Sequence, residues 1–275
     1  MDALRRLVEV WRSACADFAD LAHRLTDDEW RLPTDCTGWG VGDVVAHVAA
    51  LESELAGDEP LRVTIDKQAP HIKSGAGIYT ERGVVARRDH ERERVIEELE
   101  RAVERRTTML ADEPLDDPEG TPPITPGRID WNWQTLLRNR AVDVWVHEQD
   151  IRRAVGKPGD LDSAGATHVQ AVFAAALPYV VAKRAEAPSG TTVTFDVTGP
   201  LPAVYAVEVD ANNRGRAIEP SPDRPTLRFT LDTESFTILG AGRRDPDILP
   251  IRIEGDGSAH PTLARRVLDG LNVTF

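Results

Sequence analysis

The chain has 275 residues, 41% of them hydrophobic and 29% charged, a composition typical of a globular protein with one large domain or two ordinary ones. Its formal net charge of −13 argues against nucleic-acid binding, which needs a basic surface, and means that an anionic ligand would need local cationic help. No apolar run reaches the roughly 18 residues that span a bilayer, and residues 1–11 lack the apolar core of a signal peptide, so we expect a cytoplasmic protein without nucleic-acid or membrane partners.

The first half of the chain is predicted to be helical. Apolar residues recur there every three or four positions, which predicts helices with one buried face. Four helices are predicted, over residues 2–25, 41–56, 89–111 and 131–155. The connections 57–77 and 112–128 contain several prolines and glycines and are predicted loops. Four helices with two long connections suggest a bundle, whose interior is a natural place for a metal site.

The pattern changes after residue 159. A helix is predicted over 163–186, followed by stretches in which β-branched and polar residues alternate. These stretches predict strands of an antiparallel sheet over 191–197, 203–210, 225–231 and 249–255. A short helix over 232–242, with Asp232 as its N-cap, and a closing helix over 260–271 complete the half. We therefore predict an α+β chain of two domains, a helical bundle over 1–159 and an α+β domain over 160–275.

Three side chains in the helical half form a candidate metal site. His47 lies in the predicted second helix among the apolar residues Val44, Val45, Val48 and Leu51, so it faces the core. Asp143 and His147 lie in the fourth helix, where a spacing of four places them on one face, one turn apart. A buried histidine needs a partner for each ring nitrogen. Two imidazoles and a carboxylate can hold a zinc ion and leave a fourth position open, which implies chemistry rather than a structural role.

The neighbouring residues leave alternatives open. Asp43, four residues before His47, is either a competing ligand or a carboxylate that stabilises the helix N-terminus. Asp150 either orients the ring of His147 or pairs with an arginine. Glu148 is expected on the surface or at a subunit contact, and Trp39 in the core. The cysteines, Cys15 and Cys36, form no metal-binding or disulfide pattern and are expected to be reduced, packed thiols.

Two segments carry a resemblance to a known family. The motif GW-x-V-x-D-V-V-A-H, which ends at His47, resembles the N-terminal domain of the mycothiol-dependent maleylpyruvate isomerase family, part of the DinB-like group of metal-dependent bundles. The segment RAVDVWVHEQDIRRAVG, which contains Asp143 and His147, resembles the family's second signature. Residues 227–272 resemble its sterol-carrier-like second domain, so the likeness extends over nearly the whole chain.

The resemblance implies a cofactor, a thiol and a reaction. A divalent metal, expected to be zinc, would be held by His47, Asp143 and His147, although the family usually has Glu where this chain has Asp143. The metal would bind mycothiol, the low-molecular-weight thiol of actinobacteria, as a thiolate that adds to a small electrophilic substrate. Elimination of the thiol would make the enzyme an isomerase, and its retention a transferase. Arg243 matches an arginine of the family's second domain that binds substrate carboxylate, with Arg244 as its neighbour.

Other functions are compatible with the same residues. The open site could activate water, in which case the protein would be a metal-dependent hydrolase. Alternatively, the chain could be a non-catalytic protein that binds a small ligand and has a degenerate metal site, which the departure at Asp143 slightly favours. Arg243 and Arg244 could also be surface cations at a helix end. Either a monomer or a homodimer is compatible with the sequence.

Overall fold

The computed structural model describes residues 3–255 and 261–274. The chain divides into two units, Met1–Gly159 and Asp160–Phe275. The predicted closing helix was placed from His260, which lies outside the described residues.

The first unit is helical. Its helices are α1 (Ala3–His23), α2 (Asp27–Trp30), α3 (Val41–Leu55), α4 (Gly75–Val85), α5 (Arg92–Asp112) and α6 (Trp133–Val155). The four long helices α1, α3, α5 and α6 correspond to the four predicted ones, because each has the recurring apolar face that the prediction used. Helix α1 packs against α5 and α6, and α3 packs against the same two helices. These pairs close a ring of four helices around a shared core.

Two helices of the first unit were not predicted. Helix α2 is only four residues long, but its N-cap Thr26 accepts a hydrogen bond from the Glu29 amide while the Glu29 carboxylate accepts one from the Thr26 amide. This capping box was visible in the sequence as T-x-x-E. Helix α4 begins inside a predicted loop, because the hydroxyl of Ser74 caps it by accepting from the Gly77 amide. Glycines at two of its first three positions concealed it.

The second unit combines helices with one five-stranded sheet, and the α+β class is confirmed. Its helices are α7 (Ala164–Tyr179), which continues into a π-helical turn (Val180–Arg184), α8 (Thr233–Gly240) and α9 (Pro261–Asp269). Its strands are β1 (Thr192–Thr198), β2 (Ala203–Val209), β3 (Gly215–Ile218), β4 (Leu227–Asp232) and β5 (Arg252–Gly255), in the order β3-β2-β1-β4-β5. The predicted N-cap of α8 is confirmed, since the Asp232 carboxylate accepts from the Ser235 amide.

The sheet is mixed, so the prediction of an antiparallel sheet was wrong for one strand pair. Strands β1 and β4 run parallel, with Phe195 opposite Phe229, whereas all other pairs are antiparallel. The physical reason is the connection after β3. Residues 219–226 contain three prolines and return the chain to the end of the sheet where β1 begins, so β4 enters in the same direction as β1. Strand β3, with only four residues, was not predicted.

One helical stretch of the described residues, Ala164–Arg184, is long and apolar enough to cross a membrane by length and composition alone. The sequence was expected to contain no stretch of that length, but the π-helical turn extends α7 beyond Pro178. A core helix of a soluble protein satisfies the same criterion, and α7 contacts β2, β3 and α8. The stretch is therefore weak support for a membrane span.

Candidate metal centre

The structure brings the three predicted ligands together. His47 lies in the middle of α3, and Asp143 and His147 lie one turn apart on α6. Their ligand atoms are all within 4.8 Å of one another. His47 Nε2 is 3.4 Å from Asp143 Oδ2, and His147 Nε2 is 3.7 Å from Asp143 Oδ1. Both imidazoles thus face the same carboxylate.

His47 shows that these residues fit a metal ion. Its side chain is almost fully buried, and its Nε2 forms no well-aligned hydrogen bond among the described residues, although Asp143 Oδ2 lies 3.4 Å away. A buried polar atom without a partner is costly, and native proteins rarely leave one. A divalent cation between His47, Asp143 and His147 would give this nitrogen a partner. The donor types, two imidazoles and a carboxylate, suit zinc.

The ring of His147 is oriented by a carboxylate. Its Nδ1 lies 3.1 Å from Oδ2 of the fully buried Asp150, which leaves Nε2 to face Asp143. The other oxygen of Asp150 accepts from Arg153. Both roles that the sequence left open for Asp150 therefore hold at once. Such a hydrogen bond fixes which imidazole nitrogen can serve as a ligand.

Cys36 lies closer to the centre than expected. Its Sγ is 3.1 Å from Asp150 Oδ2 and 3.9 Å from His147 Nδ1, and these three residues also form a group of ligand-type atoms. In this second group, Asp150 already accepts a hydrogen bond from Arg153. The group of His47, Asp143 and His147 fits a metal better, because His47 Nε2 has no well-aligned hydrogen bond among the described residues. No spacing rule could have associated Cys36 with His147, because the two are far apart in the chain.

The surroundings of the two histidines shift their pKa values in opposite directions. Burial lowers the pKa of His47, and the neighbouring Asp143 does not reverse this. Burial also opposes the charged form of His147, but Asp143 and a hydrogen bond to Asp150 raise the pKa of His147 to about 10. Burial would raise the pKa of Asp143, yet Arg140 and the two histidines hold it well below its usual range. At neutral pH the metal-free centre thus contains an anionic Asp143 beside a protonated His147.

Trp39 forms a wall of the centre. Trp39 was predicted to lie in the core, but its indole is only half-buried. The centroid of the indole ring lies 5.0 Å from the ring centroid of His47 and 6.2 Å from that of His147. Trp39 Nε1 donates to Oε2 of the buried Glu81, 2.8 Å away. Glu81 also pairs with His71. Glu81 was missed because its helix, α4, was not predicted.

Asp43 and Glu148 form ion pairs outside the candidate centre. Asp43 accepts from the Gly40 amide and pairs with Arg88, so it acts at the N-terminus of α3 rather than at the centre. Glu148 was expected to be exposed, but it is fully buried and pairs with Arg152. The physical reason is that α6 is buried on nearly all of its faces.

Arg243 belongs to the second unit. It follows the C-terminal end of α8, is half-buried, and donates from Nη1 to the carbonyl of Ala241 at 3.0 Å. Its role in binding substrate stays a prediction.

Three comparisons place these features among known proteins. A family model described as "Mycothiol maleylpyruvate isomerase N-terminal domain" matches residues 11–152, a range that includes His47, Asp143 and His147. Among solved structures, the chain is similar to the mycothiol-dependent maleylpyruvate isomerase, with a TM-score of 0.55 and 14% identity, and to a histidine-to-alanine mutant of that isomerase, with a TM-score of 0.57 and 13% identity. Each alignment covers 91% of this chain and 93% of the other. At these identities the likeness establishes a shared fold. No curated protein matches the sequence significantly.

Proposed function

Because this chain belongs to the mycothiol maleylpyruvate isomerase family, by its N-terminal domain, we propose that it is a metal-dependent enzyme that uses mycothiol to isomerise a small electrophile or to transfer the thiol onto it. The observation that carries the proposal is the convergence of His47, Asp143 and His147, in which the buried Nε2 of His47 faces the Asp143 carboxylate without a well-aligned hydrogen bond among the described residues.

Each of the three residues has a defined part in the proposed centre. His47 and His147 provide neutral imidazole nitrogens, and Asp143 provides one negative charge. Three protein ligands leave one position of a tetrahedral site for a thiol. When bound, a divalent metal favours the thiolate form of a coordinated thiol and so supplies a nucleophile at neutral pH.

The burial of the centre is uneven, which favours access from one side. The side chain of Asp143 is 29% exposed, whereas that of His47 is 4% exposed. A thiol would therefore approach beside the carboxylate, while the imidazoles remain shielded from water. Trp39 restricts the space beside the two imidazoles and keeps that side apolar.

The finer parts of the proposal follow from the family. Zinc as the metal, mycothiol as the thiol and a small electrophile as the substrate are the partners we propose, with the cytoplasm as the location. Arg243 is proposed to bind a carboxylate of the substrate, because a guanidinium group matches a carboxylate with two parallel hydrogen bonds. Whether the thiol is eliminated or retained decides between an isomerase and a transferase.

Turnover in the presence and absence of thiol tests the proposal. The zinc-loaded protein would be incubated with cis-alkene acids and other electrophiles, with and without mycothiol, and with His47→Ala as the control for the metal. Products that need both mycothiol and an intact His47 would support the proposal. Turnover that needs the metal but not the thiol would support the hydrolase instead. Ligand binding without turnover would support a non-catalytic protein.

A further inference from the structure

A buried group of charged side chains adjoins the candidate metal centre through Asp143. This Glu52 cluster consists of Trp11, Glu52, Arg106 and Arg140, which come from α1, α3, α5 and α6. Glu52 is 0% exposed, and its Oε1 accepts from Trp11 Nε1 at 3.0 Å and from Arg140 Nη2 at 2.8 Å. Its Oε2 accepts from Arg106 Nη1 at 2.6 Å. One carboxylate thereby connects all four long helices.

The charges of the Glu52 cluster do not balance by themselves. Two buried guanidinium groups face one carboxylate, and a buried charge is tolerated only when it is paired. The second carboxylate is the predicted metal ligand, because Arg140 Nη1 donates to Asp143 Oδ2 at 2.8 Å. Arg140 therefore bridges Glu52 and Asp143.

We propose that Arg140 is a positioning residue for Asp143: it holds Oδ2 and so presents Oδ1 to the metal as the single donor atom. The inference rests on the proposed function, since it requires a metal bound by His47, Asp143 and His147. Glu52 in turn keeps the guanidinium from turning, because it accepts from both Nε and Nη2 of Arg140. When two nitrogens of a planar guanidinium are held, the N–H groups of the third nitrogen can point in only one direction.

Without Arg140, the carboxylate of Asp143 could adopt two other arrangements. Oδ2 of Asp143 lies 3.4 Å from His47 Nε2 while Arg140 holds it, so loss of Arg140 would free this oxygen to move closer to the imidazole. The carboxylate could equally bind a metal through both oxygens. Closer pairing with His47 would occupy the nitrogen that should bind the metal. Binding through both oxygens would fill the coordination position proposed for the thiol.

Cobalt(II) in place of zinc makes the prediction measurable, because its visible absorption is strong in four-coordinate sites and weak at higher coordination numbers. The variant is Arg140→Gln. Arg106→Gln is the matched control, since Arg106 is equally buried and pairs with Glu52 but has no hydrogen bond to Asp143 in the described part of the chain. Both variants remove one guanidinium from Glu52 and should lose comparable stability.

We expect Arg140→Gln to weaken cobalt binding by about 10- to 100-fold, the usual effect of losing a group that orients a metal ligand, and to weaken the visible bands. Arg106→Gln should keep the affinity and the spectrum of the unmodified protein. Equal changes in both variants, or no change in Arg140→Gln, would overturn the inference.

Two further measurements keep the test decisive. Arg140→Lys retains the charge but lacks the planar guanidinium that Glu52 holds at two nitrogens, so it cannot fix the direction of the bond to Asp143. Its cobalt spectrum should therefore also be altered, which provides a test if Arg140→Gln does not fold. A spectrum like that of the unmodified protein would show that charge alone suffices and would overturn the positioning role. If His47→Ala does not change the cobalt spectrum, the proposed centre is overturned together with this inference. If His47→Ala changes the spectrum but Arg140→Gln does not, only this inference is overturned.

Discussion

At the scale of single residues, the centre depends on which ring nitrogen each histidine presents. Asp150 engages Nδ1 of His147, which leaves Nε2 for Asp143, and Nε2 of His47 faces the same carboxylate. A ring turned the other way would present carbon to the centre. In the proposed centre the two imidazoles therefore both offer Nε2 as the ligand atom.

His47→Ala and His147→Ala should each lose the bound metal, because two remaining donors are too few for a stable zinc site. Elemental analysis of the purified variants measures this directly. His23→Ala is the control, since His23 is exposed on α1 and pairs with Glu100, and this variant should keep its metal. Stoichiometric metal in both centre variants would show that the proposed ligand set is wrong.

Asp143→Glu should keep or improve metal affinity, because it restores the family's usual ligand and lengthens the reach of the carboxylate by one methylene. Asp143→Asn should bind metal more than about tenfold more weakly, since even the loss of a group behind a ligand typically costs that much. Competition with a chelator gives both affinities. A large loss in Asp143→Glu would mean that the shorter side chain is required, as the bridge to Arg140 would explain.

Metal affinity should depend on pH because the imidazole of His147 can bind a metal only in its neutral form. With a pKa of about 10 in the metal-free protein, His147 must release a proton when metal binds. The apparent affinity should therefore rise with pH between about pH 6 and pH 9, by up to about tenfold per unit. Chelator competition at several pH values measures the slope. An affinity that does not change over this range would mean that His147 is already neutral.

The sequence was sufficient to single out the candidate ligands that the structure brings together, but not the residues that support them. Local patterns pointed to these candidates. His47 lies on an apolar helix face, Asp143 and His147 share a helical spacing, and both motifs resemble those of the family. Cys36 and Glu52 contact the centre through pairings between distant parts of the chain, for which a single sequence gives no signal.

At the scale of elements, helix α6 determines most of the centre. It buries polar side chains on several faces, and these are Asn139, Arg140, His147, Glu148, Gln149 and Asp150. The long helices were predictable because their apolar periodicity is local. Helix α2 and strand β3 were missed because four residues are too few for a period to appear, whereas the equally short β5 was predicted as part of the longer stretch 249–255. The parallel pairing of β1 with β4 depends on the path of a loop rather than on the pattern within either strand.

The end of α6 permits a test of backbone conformation. Gly156 has a φ of +64°, in the left-handed region that favours glycine, and a methyl group there would meet no atom within 4 Å. Gly156→Ala should lower the free energy of unfolding by about 1–2 kcal/mol through conformation alone. Gly75→Ala is the matched control, since Gly75 has equal space but lies within α4, and it should raise the free energy by roughly 0.4–1 kcal/mol. Denaturant titration measures both, and changes of the same sign would contradict the assignment.

At the scale of the whole molecule, the two units divide the proposed work. The candidate ligands all lie in Met1–Gly159, whereas the proposed carboxylate-binding Arg243 lies in Asp160–Phe275. In a chain with a net charge of −13, an anionic substrate needs such a cation. Metal binding and substrate binding should thus be separable by mutation.

Arg243→Ala should raise the KM for a carboxylate substrate while metal content stays unchanged. The reason is that the guanidinium would contact the substrate rather than the metal. Steady-state kinetics and elemental analysis of one preparation give both quantities, and Arg244→Ala provides the neighbouring control. A fall in metal content in Arg243→Ala would assign this arginine a structural role.

The origin of the ligands in α3 and α6 has a consequence for the order of events during synthesis. α3 is the second long helix to leave the ribosome and α6 the fourth, so His47 is made well before Asp143 and His147 exist. No early fragment contains a complete ligand set, and the metal cannot guide the collapse of the first helices. The Glu52 cluster likewise stays incomplete until Arg140 arrives. We therefore expect the ion to be acquired as a late step, after α6 has docked.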